Sequence, residues 1–246
     1  MIDFYKFKQL TKRKNNSSFV RTWYFSSLFS KYISYILFKI GFSANSATIL
    51  FFFVGLIGSF LVLFNKSWAI LISYAFFRLH LIIDLSDGDL ARYYKTYTLR
   101  GAYMDFMIHA LIYPLYIIFY SIIAYINFDN IFFLYSGIFL SLLMSLILAS
   151  KNNYFRALFQ NGIHKNDFIS KFKITLDLKS KFKNYLINLI TDIISIEGFI
   201  FFNVLIYFLQ IEIIYTFLHS FYMFTFLIVL IIKFLNSFKN KIISKN

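Results

Sequence analysis

Asp84, Asp87, Asp89 and Asp105 are four of only 11 acidic residues, and all four lie where two long apolar runs meet. A carboxylate costs roughly 2.5–3.5 kcal/mol at the centre of a membrane helix and less near the interface, so several together require a compensating cation or partner. At about 100° per residue, Asp84, Asp87, Gly88 and Ala91 share one helix face, with His80 one turn deeper, while Asp89 points elsewhere. On the next helix Gly101, Asp105 and His109 are spaced four apart and form a second stripe. Two antiparallel helices joined by a short loop would bring the stripes together. Three converging carboxylates make a hard oxygen site suited to Mg²⁺ or Mn²⁺, and such a site can hold a phosphate. The small residues Gly88, Ala91 and Gly101 leave space on the same faces, although close helix packing explains small residues equally well when each is taken alone.

The elements that must carry these stripes are membrane helices. Of the 246 residues, 59% are hydrophobic, 23% aromatic and 15% charged, a balance that excludes an ordinary soluble domain. Mean hydropathy is +0.67. The formal charge is +14, but its basic clusters sit between long apolar runs, which favours an anionic membrane surface over nucleic acid as partner. With no cysteine, thiol catalysis, disulfides and cysteine zinc sites are excluded.

The sequence predicts an all-α integral membrane protein with six spans: about Asn45 to Phe64, Trp68 to Ile83, Ala102 to Ile126, Ile131 to Ala149, Phe199 to Ile214 and Phe217 to Leu235. The second can continue as helix to about Tyr94, and Pro114 should kink the third. Lys and Arg crowd the segment before Asn45, the Arg92 to Arg100 loop, a loop at about 151–197 and the tail, whereas the opposite side has Lys66 alone. That asymmetry puts both termini and the acidic stripes on the cytoplasmic side. Ser26 to Phe42 mixes aromatics with Lys31 and Lys39 and reads as an amphipathic surface helix; the alternative is a seventh span. The expected organisation is a cytoplasmic segment over 1–44, a six-helix catalytic domain over 45–236 and a basic tail over 237–246. The expected location is a bacterial inner membrane.

Asp84-Leu-Ser-Asp87-Gly88-Asp-Leu-Ala91-Arg92, eight residues, then Gly101-Ala-Tyr-Met-Asp105 resembles the signature of the CDP-alcohol phosphotransferase family. Ala44-Asn45-Ser46-Ala47-Thr48 resembles the family's Pro-Asn-x-x-Thr segment, with alanine in place of proline. The resemblance implies that Asp84, Asp87 and Asp105 coordinate Mg²⁺ or Mn²⁺, and that Gly88, Ala91, Arg92 and Gly101, with Asn45 and Thr48, line a nucleotide pocket. It implies metal-dependent transfer of a substituted phosphoryl group from a CDP-linked donor to an acceptor alcohol, with release of CMP, in phospholipid biosynthesis. Its partners would be the donor, a lipid or lipid-precursor alcohol, membrane lipids and, by analogy, a second copy in a homodimer.

One departure stands out: His109 occupies the position of the family's fourth aspartate, which the resemblance implies is both ligand and general base. Histidine can do both, with an ordinary pKa near 6.5. A site that binds nucleotide without turnover is the alternative. A transporter or channel using Arg78, His80 and Asp84 as an ion path is another, though it leaves the spacing of Gly88, Ala91, Arg92 and Gly101 without a cause. Arg78 reads as paired inside the bundle or functional, His80 as a satisfied buried histidine or a support beneath the metal, and Glu197 as interfacial or facing the cleft. His164 is given no role.

Overall fold

The computed structural model describes residues 3–11, 21–96, 98–160 and 193–239. Most of the loop expected at 151–197, including His164, and the tail beyond Lys239 lie outside them. Every regular element among the described residues is helical: α1 (Phe4–Leu10), α2 (Arg21–Lys39), α3 (Ala44–Val62), α4 (Ser67–Tyr94), α5 (Leu99–Phe128), α6 (Phe132–Gln160), α7 (Ile196–Leu209) and α8 (Glu212–Lys239). Among the described residues five helices are long and apolar enough to cross a membrane, namely α3, α4, α5, α6 and α8. The chain is an all-α integral membrane protein.

Local chemistry fixes the helix ends. Ser43 and Thr98 cap α3 and α5 by accepting from the backbone N–H groups of Ser46 and Gly101 at 3.1 and 3.0 Å. α4 closes on Lys95, α5 on Asp129 and α7 on Gln210, each in the left-handed region with φ of 50–55°. α4 has 28 residues and so spans about 42 Å, more than the roughly 30 Å of hydrocarbon. Its last turns therefore reach beyond the apolar layer, as its sequence predicts. α5 continues without a break through Pro114.

The fifth expected span needs revision. The run from Phe199 to Ile214 is divided: α7 ends at Leu209, the chain turns at Gln210, and α8 starts at Glu212. Glu212 favours a helix start because its charge meets the positive end of the helix dipole. Ile211 and Ile213 hide this break in a hydropathy reading. α7 has 14 residues, about 21 Å, and falls short of the usual spanning length.

α3 packs against both α4 and α5, α6 joins α5 to α8, and α7 touches α4, α5 and α8. Close α3 contacts depend on two glycines. A Cβ at Gly55 would stand 2.6 Å from His80 Nδ1, and one at Gly58 would stand 2.2 Å from Tyr116 Oη. These are packing glycines.

α2 starts earlier than expected and lies along α4 in the same chain direction. Ser26 Oγ accepts from Arg78 at 3.3 Å, the Ser30 carbonyl accepts from Ser86 Oγ at 3.1 Å, and Phe38 packs its ring 4.7 Å from that of Tyr93. Ser26, Ser30 and Ser34 face inward, while Phe29, Tyr32, Ile36 and Ile40 form an exposed apolar stripe. That polarity suits a helix with protein on one side and the membrane interface on the other.

Candidate active site at the α4–α5 junction

The turn between α4 and α5 brings the two sequence stripes together. Asp84, Asp105 and His109 each offer one ligand atom, and these atoms lie within 4.8 Å of one another. His109 Nε2 is 3.2 Å from Asp105 Oδ1 and 3.6 Å from Asp84 Oδ1. The first distance is short enough for a hydrogen bond, but its direction is not: Asp105 Oδ1 is buried and accepts none, and His109 Nδ1 is also buried without a hydrogen-bond partner. A buried carboxylate oxygen left unsatisfied is costly. Two carboxylates and an imidazole suit a divalent cation of the Mg²⁺ to Zn²⁺ range, with the nitrogen favouring Mn²⁺ or Zn²⁺ over Mg²⁺. The donor set and the orphaned oxygen both fit a metal ion.

Beside this cluster is a cleft of about 230 Å³, lined by Ala44, Asn45 and Thr48 of α3, Asp87, Gly88, Ala91 and Arg92 of α4, and Gly101, Ala102 and Asp105 of α5, with Thr96 and Thr98 from the turn. All six residues expected to line a nucleotide pocket are in this wall. Asp105 belongs to both cleft and cluster. Asp87 stands outside the close group of three and accepts from Thr48 Oγ1 at 2.8 Å. This bond ties α3 to α4 at the mouth, so Thr48 has a structural task as well as a place on the lining.

Gly88 differs from Gly55 and Gly58. A Cβ there would meet nothing closer than Arg92 Nη1 at 3.5 Å, an ordinary contact. The protein's own packing does not require glycine at this position, and the room opens into the cleft. Gly101 is tighter, since a Cβ would stand 3.1 Å from Thr98 Oγ1 and 3.2 Å from Asn45 Oδ1. Its smallness lets α3 approach the first turn of α5.

Asp89 faces away from the cluster, as its helical position requires, and is completely buried. It accepts from Lys31 Nζ at 2.8 Å and from Ser34 Oγ at 3.1 Å, and also pairs with Arg92 Nη2. Sequence reasoning assigned Lys31 only to an amphipathic surface. The usable signal was a carboxylate inside an apolar helix that did not share the metal face and therefore needed its own cation.

Arg78 donates from Nη1 to Glu197 Oε2 at 2.8 Å, which joins α4 to α7. For Arg78 this is the expected pairing inside the bundle; for Glu197 the partnership is one that neither its interfacial nor its cleft-facing reading named. His80 is buried with Nδ1 2.8 Å from the Phe51 carbonyl and its ring 5.6 Å from that of His109. It packs beneath the cluster and offers no atom to it.

A helical bundle with apolar spans thus carries, at the end of two of them, a cleft that shares an aspartate with a cluster of two carboxylates and an imidazole. The family model for CDP-alcohol phosphatidyltransferases matches residues 42–232, and the chain belongs to that family. No curated protein matches the chain.

Proposed function

We propose that the chain transfers a substituted phosphoryl group from a CDP-linked donor to an acceptor alcohol at the cleft between α3, α4 and α5, releasing CMP. Membership of the family supports the reaction type. The observation that carries the assignment to this site is the convergence of the six expected pocket residues on one cleft that shares Asp105 with the Asp84, Asp105 and His109 cluster. A divalent cation, Mg²⁺ or Mn²⁺, held by Asp84, Asp105 and His109 with Asp87 beside them, supplies charge neutralisation for the donor's diphosphate.

The chain's own groups have distinct tasks in this reading. Gly88 and Ala91 admit the nucleotide close to the α4 backbone, and Arg92 offers N–H donors to phosphate oxygen. His109 accepts the acceptor's hydroxyl proton as that oxygen bonds to the β-phosphorus and the bond to the CMP oxygen breaks. Asp84 and Asp105 stand 3.6 and 3.2 Å from the imidazole Nε2, so a cation among them would take that nitrogen, and the other, Nδ1, which has no hydrogen-bond partner, is the atom that would take the proton. The basic residues at this end, among them Lys6, Lys8, Lys39, Lys95 and Arg100, support a cytoplasmic orientation of the cleft. The acceptor is then an alcohol at the membrane surface, and the product a phospholipid.

CMP release by the purified protein, measured for CDP-diacylglycerol and for soluble CDP-head groups against a panel of alcohols with Mg²⁺ or Mn²⁺, tests the proposal. Release that needs donor, acceptor and cation together, and that Asp105→Asn abolishes, is the expected result. Nucleotide binding without turnover under every combination would instead mark a binding protein.

A further inference from the structure

Arg92 is held by more than its own helix. Its Nη2 pairs with Asp89, and its Nε donates to the Thr11 carbonyl at 3.2 Å. Lys31 Nζ reaches the same two acceptors, Asp89 Oδ1 at 2.8 Å and the Thr11 carbonyl at 3.0 Å. Thr11 caps the C-terminal end of α1, and α1 is seated by Phe7, which is fully buried with its ring 5.2 Å from those of Phe38 and Tyr93. Nε and Nη2 of the planar guanidinium are thus tied down. Both terminal nitrogens lie near Gly88, Nη1 at 3.5 Å and Nη2 at 3.6 Å from where its Cβ would be, and Gly88 and Arg92 both line the cleft; with Nη2 committed to Asp89, Nη1 is the nitrogen left for a ligand there.

We propose that Asp89, Lys31 and the Thr11 carbonyl are positioning groups for Arg92, holding its guanidinium so that Nη1 faces the phosphates of a nucleotide donor. The inference rests on the reading of the cleft as the donor site and extends that site to the N-terminal helices. A planar fork fixed at two edges leaves one direction for the third, so an arginine that would otherwise sample many rotamers is pre-organised for an anion. The buried carboxylate also prevents the two cations from repelling each other apart. α1 and α2 become part of the donor site because they carry the carbonyl and the ammonium that complete the clamp.

Charge alone and positioning predict opposite signs for one variant. Asp89→Asn removes a negative charge beside the cleft, so a purely electrostatic role predicts tighter binding of an anionic nucleotide. Loss of the clamp predicts weaker binding, by about tenfold to hundredfold, the worth of one charge-assisted hydrogen bond. Binding of CDP in the presence of Mn²⁺ to the full-length protein, measured by calorimetry, together with the donor and acceptor KM values, distinguishes the two. The expected result is a higher Kd and donor KM with acceptor KM unchanged. An unchanged or lower Kd in folded Asp89→Asn protein overturns the proposal.

Phe7→Ala supplies a second arm that alters no charge and leaves the spans intact. Freeing α1 should raise the Kd for CDP severalfold through the Thr11 carbonyl, and an unchanged Kd would remove α1 from the clamp. Native protein that binds no CDP with any divalent cation would refute the donor-site reading itself, and it would do so before either variant is compared.

Discussion

Gly88→Ala should stabilise the fold while weakening the donor site. In the interior of α4, alanine is up to about 1 kcal/mol more favourable than glycine. The added Cβ meets only Arg92 Nη1 at 3.5 Å, so no packing cost offsets that gain. If a nucleotide lies against this stretch of backbone, the same methyl group intrudes on it. Overfilling a close-packed contact costs about 1–3 kcal/mol, equivalent to a Kd or donor KM about fivefold to hundredfold higher. The control is Gly58→Ala, whose Cβ would lie 2.2 Å from Tyr116 Oη and 2.7 Å from Phe76 Cβ. That variant should lose about 1–3 kcal/mol of stability and keep the donor KM of its folded fraction. Thermal unfolding in detergent, with and without CDP and Mn²⁺, reads both quantities. A Gly88→Ala protein that binds CDP as well as the native protein refutes the argument that the gap at Gly88 is made for ligand.

Three further outcomes follow from the same geometry. Asp84→Asn should reduce CMP release by at least a hundredfold while leaving the folded fraction near native, because it removes a charged cluster ligand and keeps the side chain's size and shape; steady-state kinetics with a thermal melt checks both. His109→Asp should retain most CMP release, because a carboxylate keeps both a ligand atom and a proton acceptor, whereas His109→Ala should lose at least a hundredfold; equal losses in the two folded variants would exclude a ligand or base at this position. Glu197→Gln should lower stability by about 1–3 kcal/mol, since it leaves the Arg78 guanidinium in a half-buried position with a neutral partner, and donor KM should not change.

What could be read from the sequence was set by distance along the chain. Asp84, Asp87, Gly88 and Ala91 are local to one helix, so the helical period alone places them on a face, and the short turn after Lys95 leaves Gly101, Asp105 and His109 nowhere to go but opposite. The extension of α4 to Tyr94 was legible because the carboxylates interrupt hydropathy without interrupting helical spacing. The α7–α8 boundary was hidden, because Ile211 and Ile213 surround the break with apolar residues and Gln210 carries no strong turn signal. Pairings between Lys31 and Asp89, or between Arg78 and Glu197, depend on which helices become neighbours. Periodicity cannot supply that, although the uncompensated charge of Asp89 in an apolar helix announced that a partner had to exist. The inward serines of α2 were similarly opaque, since its apolar stripe turns outward to the membrane interface and reverses the rule for soluble helices.

The central claim is that carboxylates from α4 and α5, with His109, grip a divalent cation. Mn²⁺ binding to the purified protein, followed by electron paramagnetic resonance in the absence of substrate, tests it most directly. Native protein should retain bound Mn²⁺ that Asp84→Asn and Asp105→Asn each release; native-level binding by both folded variants would contradict the account.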